Sequence, residues 1–507
     1  MLQQQGKIFN EQRALLLLVL IAYVAIVFVA GYMPRGSDQY WSLGNVDRVI
    51  HHDGLFKTNN IFPAGMPEDM SLLPRPWVQN RPVVYLVIGI AWIVRNAQFA
   101  WLICNLASLL ITCWLLLRTL RITGITGSVS VYSFCLLLLF PLNFYLVMQA
   151  LPEQFNQLLV MAVFGLLLFN REKYGLTLLA AIVSGLLVYQ RDNFVLLLIL
   201  APLYLFFSSS RDTRVSHAFL FFLIMGLMYM AKPVLLPSHT IEPISISKII
   251  SEVRPGKHNM VNYLYPNTPD RPTGEVIKIV FSKAANSLTR QFSIDKSNSV
   301  FIYSINLLLI PFFILLFRYR NLDPFKQKGV FLTGIFFLIH LLTIVLFENQ
   351  YRFSAVLIPL LILNLAWLVG SANDARTRKW LFPAILLLCV LIDGVIAYSN
   401  RKEARINQQV LTGYQDLRKN ELHGKPVMVH WTSGESLIVS YGLLPQYCYY
   451  FPGDAPAEEL LSVAKKLGAS HFIVKQGSGI YKQLKPLSTK EQITEPAKKI
   501  TLLQVER

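Results

Sequence analysis

A few charged residues stand at the ends of otherwise apolar segments, and their types suggest acid–base and anion chemistry. Asp38 lies in Arg35-Gly36-Ser37-Asp38-Gln39-Tyr40-Trp41, a few residues after the first apolar run. Glu153, Arg191, Asp192, Glu348, Tyr351 and Arg352 occupy comparable positions further along. A carboxylate at a membrane edge is partly desolvated, which raises its pKa and suits it to accept a proton. Arginine's planar fork matches phosphate oxygens. Charged groups facing a membrane cavity are costly, so several of them gathered at one depth point to a phosphate-bearing substrate. The plainer alternative makes each an interfacial turn residue, snorkelling to water or paired with a neighbour.

Other candidates in the polar loop 34–81 have competing readings. Asp47, His51, His52 and Asp53 have near-helical spacing, which admits a divalent cation without requiring one. The same spacing fits the wet face of an amphipathic helix on a membrane surface, with Trp41, Leu43, Val46, Val49 and Ile50 as its apolar contacts. Glu68 and Asp69 are solvated loop or acceptor contacts. Tyr263 and Tyr265 stack on sugar or pack within their own loop. Trp431, with strand neighbours, reads as core.

The elements that position these residues follow from composition. Of 507 residues, 54% are hydrophobic and only 15% charged, which excludes an ordinary soluble domain. Windows of about 17–20 nearly uncharged residues can each cross a bilayer. The segments 12–31, 82–117, 128–148, 153–170, 176–190, 193–207, 217–236, 299–317, 329–347, 353–370 and 380–398 give eleven crossings of a polytopic α-helical membrane protein, within a range of 11–13. The first lacks a small-residue cleavage site and reads as a retained anchor. The run 82–117 is too long for one straight crossing, and Arg95-Asn96 breaks it. The net charge of +18 sits largely in connections: Arg118 and Arg121, Arg171 and Lys173, Arg211 and Arg214, Arg318 to Lys328, and Arg376 to Lys379. Cytoplasmic retention and lipid phosphates account for these clusters, and no nucleic-acid motif accompanies them. With the basic clusters inside, Asp38, the loop 34–81, the long loop 237–298 and the tail 399–507 lie on the external face. The long loop, with helical patterning around Gly274 to Leu288, reads as a lid or substrate wall.

Residues 1–398 thus form a transmembrane domain. Residues 399–507 change character: Val427 to Trp431, Tyr447 to Phe451 and His471 to Val474 read as strands, and Pro456 to Leu467 as a helix closed by Gly468. A small external α/β domain is expected. Its one cysteine, Cys448, excludes an internal disulfide.

With these motifs in place, the chain resembles the GT-C superfamily of membrane glycosyltransferases, which includes protein O-mannosyltransferases and lipid A aminoarabinose transferases. Ser37-Asp38-Gln39-Tyr40-Trp41 stands where that family has its acidic motif after the first span. Arg81-Pro82-Val83-Val84-Tyr85 is similar to its Arg-Pro-Pro-Leu-Tyr motif, and Leu151-Pro152-Glu153-Gln154-Phe155 to its Thr-Glu-Pro-Leu motif. Gln190-Arg191-Asp192-Asn193 and Glu348-Asn349-Gln350-Tyr351-Arg352-Phe353 resemble later family motifs. The second proline is missing from the arginine motif, and the acidic pair is reduced to Asp38 followed by Gln39; that second departure leaves a divalent metal ion and a second carboxylate open rather than implied.

The resemblance implies an inverting transfer of a monosaccharide from a polyprenyl-phosphate carrier to a hydroxyl on a glycolipid, polysaccharide or protein, at the external face of a bacterial inner membrane. Asp38 is then the base. Arg191 and Arg352 clamp the phosphate, with Arg81 as a third cation, and Tyr85, Glu153 and Tyr351 complete the substrate-binding set. Phosphate leaves without a general acid, so one base and cations suffice. Three alternatives stand beside this one. An O-antigen polymerase or ligase acts on pyrophosphate-linked oligosaccharides. A transporter or flippase would show paired broken helices in two related halves, and none is visible. A non-catalytic scaffold would tolerate loss of Asp38.

Overall fold

Apolar length and helix punctuation together account for the bundle. The computed structural model describes residues 16–28, 37–51, 60–61, 81–170, 172–235, 299–318, 322–346, 351–372, 375–422, 424–430, 439, 441–443, 446, 448–451, 457–495 and 500–505, with isolated helical positions between 274 and 285. Each expected crossing coincides with a helix or a helix pair. The helices are α1 (Leu16–Phe28), α2 (Ser37–His51), α3 (Pro82–Val94), α4 (Ala97–Ile122), α5 (Ser128–Leu138), α6 (Pro141–Val147), α7 (Glu153–Leu168), α8 (Tyr174–Gln190), α9 (Leu197–Ser208), α10 (Arg214–Leu235), α11 (Ser299–Arg318), α12 (Pro324–Leu346), α13 (Ile358–Ser371) and α14 (Ala375–Leu417). The 3-10 turns Asp192–Leu196 and Tyr351–Leu357 lead into α9 and α13. Among the described residues, five helices are long and apolar enough to cross a membrane alone, and the α5–α6 pair makes a sixth.

The run 82–117 is two helices, broken where expected. Arg95 adopts φ +53°, a left-handed C-cap whose N–H returns to Ala91 O, and Asn96 accepts from Phe99 N at 2.9 Å to start α4. The run 128–148 bends by 49° between α5 and α6, which the apolar pattern alone did not indicate. Pro141 opens the second half, and Asn143 Nδ2 donates to Leu137 O at 2.7 Å, satisfying a carbonyl that the break releases. Helix α13 is apolar around its circumference and buried from Ile358 through Val369, so it runs through the middle of the bundle.

The tail strands and Asn60–Ile61 (β1) form a mixed sheet in the order β1-β3-β2-β4-β6-β5. Strands β2 (Val427–His430), β3 (Cys448–Phe451) and β4 (His471–Lys475) are parallel; β6 (Ile500–Val505) and β5 (Ser488–Glu495) add antiparallel. Period-two alternation sorts the strands into two cores. Met428, Phe472 and Val474 face α15 (Ala457–Leu467) and α16 (Gly479–Leu484), whereas Val427, Val429 and Ile473 face Leu411, Tyr414 and Leu417 of α14. Gly468, at φ +71°, ends α15 in the expected role. Strands β5 and β6 and α16 extend the expected set, and Trp431 lies outside the described residues.

Two features join the tail to the rest of the chain. Helix α14 runs unbroken through residue 398 into the tail core, and β1 (Asn60–Ile61), from the first polar loop, pairs parallel with β3 at the sheet edge. Tyr40 of α2 is 1% exposed within the core that faces α14.

Candidate functional site

The site forms where helix ends meet. Helix α7 begins at Glu153, directly after Pro152, and α8 ends at Arg191, its extended C-cap. An acid is favoured at a helix N-terminus and a base at a C-terminus. As packed neighbours, these two ends place Arg191 Nη2 to donate to Glu153 Oε1. Glu153 is 1% exposed and the Arg191 side chain 14%, so the pair is largely withdrawn from solvent. Breaking a buried pair of this kind costs about 3–5 kcal/mol.

A narrow cavity lies against the pair, with Asn156, Asn193, His340 and Thr343 as its other polar walls and Phe194, Phe336, Ile339 and Val356 as apolar ones. Its room is about that of one water molecule. Asn193 Nδ2 donates to Thr343 Oγ1 at 2.8 Å, and His340 Nε2 lies 3.3 Å from Ser354 Oγ. Gln157 Nε2 donates to Ala355 O at 2.6 Å and to Asn143 Oδ1 at 2.7 Å. Gln157 therefore fixes the 351–357 turn onto the first turns of α7, bringing the backbone of Tyr351 and Arg352 to the same end of the bundle as Glu153 and Arg191. The side chains of Tyr351, Arg352 and Asp192, and all of Glu348, lie outside the described residues.

Helix α2, whose first turn contains Asp38, packs on α3 and α4. Leu43, Val46 and Ile50 are buried against Val83, Val84, Val87 and Trp101, in a cluster that also takes in Ala150, three residues before Glu153. The apolar face expected to lie on a membrane surface is thus covered by protein, because α3 and α4 present a matching apolar groove. The Asp38 side chain itself lies outside the described residues. Arg81 precedes α3 in extended conformation, and Tyr85 occupies its first turn; neither lines the cavity, although α3 packs against α8. Asp47 Oδ1 and His51 Nε2 lie 3.8 Å apart on α2, and His52 and Asp53 fall outside the described residues.

The tail touches α2 directly. Tyr40 and Tyr441 rings approach to 5.8 Å, a Cβ added at Gly44 would sit 3.7 Å from Tyr441 Cδ2, and Gln98 of α4 is a hydrogen-bond partner of Tyr441. Burial, followed by the Asp47 carboxylate, pushes the Tyr441 phenol well above its ordinary pKa. Behind it, Gly442 admits the Tyr414 side chain, where a Cβ would come within 2.7 Å.

No family model matches the chain, and no curated protein matches it in sequence. Solved structures match it in fold. ArnT from Cupriavidus metallidurans bound to undecaprenyl phosphate superposes with a TM-score of 0.59 at 8% identity, over 97% of this chain and 98% of that one. The archaeal oligosaccharyltransferase AglB from Archaeoglobus fulgidus, in complex with an inhibitory peptide and a dolichol-phosphate, superposes at 0.52 and 11% identity, over 97% and 74%. The chain shares the fold of these two proteins. Within this bundle Glu153 and Arg191, widely separated in sequence, lie at converging helix ends. Asn156, Gln157 and His340 were missed. For Asn156 and Gln157 the signal was present, as uncharged amides at i+3 and i+4 from Glu153 on one face of an apolar helix.

Proposed function

We propose that the protein is a glycosyltransferase that moves a monosaccharide from a polyprenyl-phosphate carrier to an acceptor hydroxyl, inverting the anomeric centre. The observation that carries this reading is the buried Glu153–Arg191 pair, set at the same end of a GT-C bundle as the 351–357 turn and close to the packing of Asp38's helix. Solved proteins of this fold include one bound to undecaprenyl phosphate and one in complex with a dolichol-phosphate, which supports a lipid phosphate as the donor's carrier here.

In the proposed reaction the Asp38 carboxylate takes the acceptor's hydroxyl proton. The acceptor oxygen attacks the anomeric carbon from the side opposite the phosphate, a new C–O bond forms, and the bond from that carbon to the phosphate oxygen breaks. Polyprenyl phosphate departs with the electron pair. Arg191 and Arg352 stabilise the growing negative charge, with Arg81 contributing from the start of α3 and Tyr85 and Tyr351 lining the substrate path. Glu153 supports the chemistry by holding Arg191: its carboxylate fixes the guanidinium in one orientation, which lowers the reorganisation needed when the phosphate leaves. The acceptor is a glycolipid, polysaccharide or protein, and the reaction takes place at the external face of a bacterial inner membrane.

The test supplies purified protein with radiolabelled polyprenyl-phosphate sugars and membranes from a strain lacking the gene. Transfer of label to a membrane component supports the proposal and identifies the acceptor. Labelled donor that is bound but never consumed contradicts it and favours a lipid transporter.

A further inference from the structure

Asn156 is a cavity residue whose whole side-chain amide lacks a hydrogen-bond partner among the described residues. It is 0% exposed, lines the cavity beside Glu153 and Arg191, and neither its Nδ2 nor its Oδ1 has a hydrogen-bond partner among the described residues. Neighbouring amides are placed differently: Gln157 and Gln154 donate to Asn143, and Asn193 donates to Thr343. A buried amide with both donor and acceptor unpaired is expensive, and native folds keep few of them. Two more flank this one. Gln149, four residues before Glu153, and Gln190, next to Arg191, each bury the whole side-chain amide without a partner among the described residues.

An amide offers donors and an acceptor side by side, and a sugar hydroxyl is donor and acceptor at once, so the two complement each other fully. The cavity has room for about one water molecule, which is the space of one hydroxyl rather than a sugar ring. We propose that Asn156 receives a single hydroxyl of the donor sugar; the proposal rests on the transferase reading above.

The experiment measures binding, so it does not depend on turnover. Full-length protein in nanodiscs is titrated with undecaprenyl phosphate, with undecaprenyl phosphate bearing glucose, mannose or galactose, and with the same lipid bearing 4-amino-4-deoxyarabinose. At least one of these sugars should tighten binding roughly tenfold over the bare lipid, the increment expected of one or two hydrogen bonds. Asn156→Leu, close in volume, should erase that increment while leaving bare-lipid affinity within about twofold, as expected for a site that hydrogen-bonds a substrate hydroxyl. Asn156→Ala replaces it if the leucine variant does not fold. Either no increment from any of the sugars or an increment that survives Asn156→Leu would overturn the proposal. Wild type that fails to bind even the bare lipid would overturn the transferase reading, and this one with it.

Discussion

Glu153 and Arg191 behave as a unit, and a double-mutant cycle separates fold from chemistry. Glu153→Gln alone and Arg191→Gln alone each break the buried contact between the two. Each should lower thermal stability by about 3–5 kcal/mol. The pair of substitutions together should recover most of that stability, measured by detergent-solubilised melting, yet leave transfer at least a hundredfold below wild type, since the cation that stabilises phosphate departure is lost. Recovery of activity along with stability would show that the pair only holds the helices together. His430 makes a second case. It stacks on Phe451 at 5.7 Å, and burial, helped by the Lys475 ammonium, brings its imidazole down to about 4. Its folded pKa lies below the unfolded value of about 6.5. The unfolded chain therefore binds the proton first, and stability present at pH 7 is lost as pH falls toward 4. A loss on the order of 1–2 kcal/mol between pH 7 and pH 5 is expected. His430→Gln should flatten that part of the stability profile, whereas an unchanged slope would assign the acid sensitivity elsewhere.

Among elements, helix α2 has the strongest dependence on its neighbours. Its inward residues insert into two cores, Leu43, Val46 and Ile50 against α3 and α4, and Tyr40 against the tail. Tyr441 closes the second contact. Tyr441→Ala should loosen α2 and lower kcat by about tenfold or more with little change in KM for the lipid donor, because small displacements of a reacting group are costly. Tyr441→Phe keeps the ring against Tyr40 and should stay near wild type. Equal activity in all three proteins would separate the tail from catalysis. Much of this level was legible in the sequence. The spans were readable because each is a long apolar run, and the Arg95-Asn96 break because both residues are polar within one. Strands β2, β3 and β4 were readable from their apolar alternation and α15 from its amphipathic period. Strand β5, reading Ser-Thr-Lys-Glu-Gln-Ile-Thr-Glu, gave no such signal, since it covers a sheet edge rather than a core. The α5–α6 bend was hidden because Pro141 and Asn143 stand within an unbroken apolar stretch, and only the returned hydrogen bond shows what the asparagine does.

At the scale of the whole molecule, the tail is built into the end of the bundle that carries α2 rather than appended to it. Helix α14 extends for 43 residues, about 64 Å of continuous rod, from the basic connection at its start to the core beneath the sheet. Its middle carries the exposed Leu387, Leu388, Leu391 and Val395 expected of a membrane-facing surface, and its end carries Leu411, Tyr414 and Leu417 into the tail. The first loop returns the contact by adding β1 to the sheet and Tyr40 to its core. Such pairings between distant segments cannot be read from local pattern: Tyr40 looked like part of a motif beside Asp38, and nothing near Asn60 marks it as the partner of Tyr449. Likewise Glu153 and Arg191 could be matched only by assuming that successive spans run antiparallel and end at one level. The measurement that tests the proposed chemistry most directly compares wild type, Asp38→Asn and Asp38→Glu in transfer from a polyprenyl-phosphate sugar, with folding and lipid binding checked in each. Asp38→Asn, nearly isosteric and unable to accept the proton, should bind the donor normally and lose at least a hundredfold in kcat, while Asp38→Glu retains measurable transfer. Transfer by Asp38→Asn at the wild-type rate would contradict the assignment of Asp38 as the base.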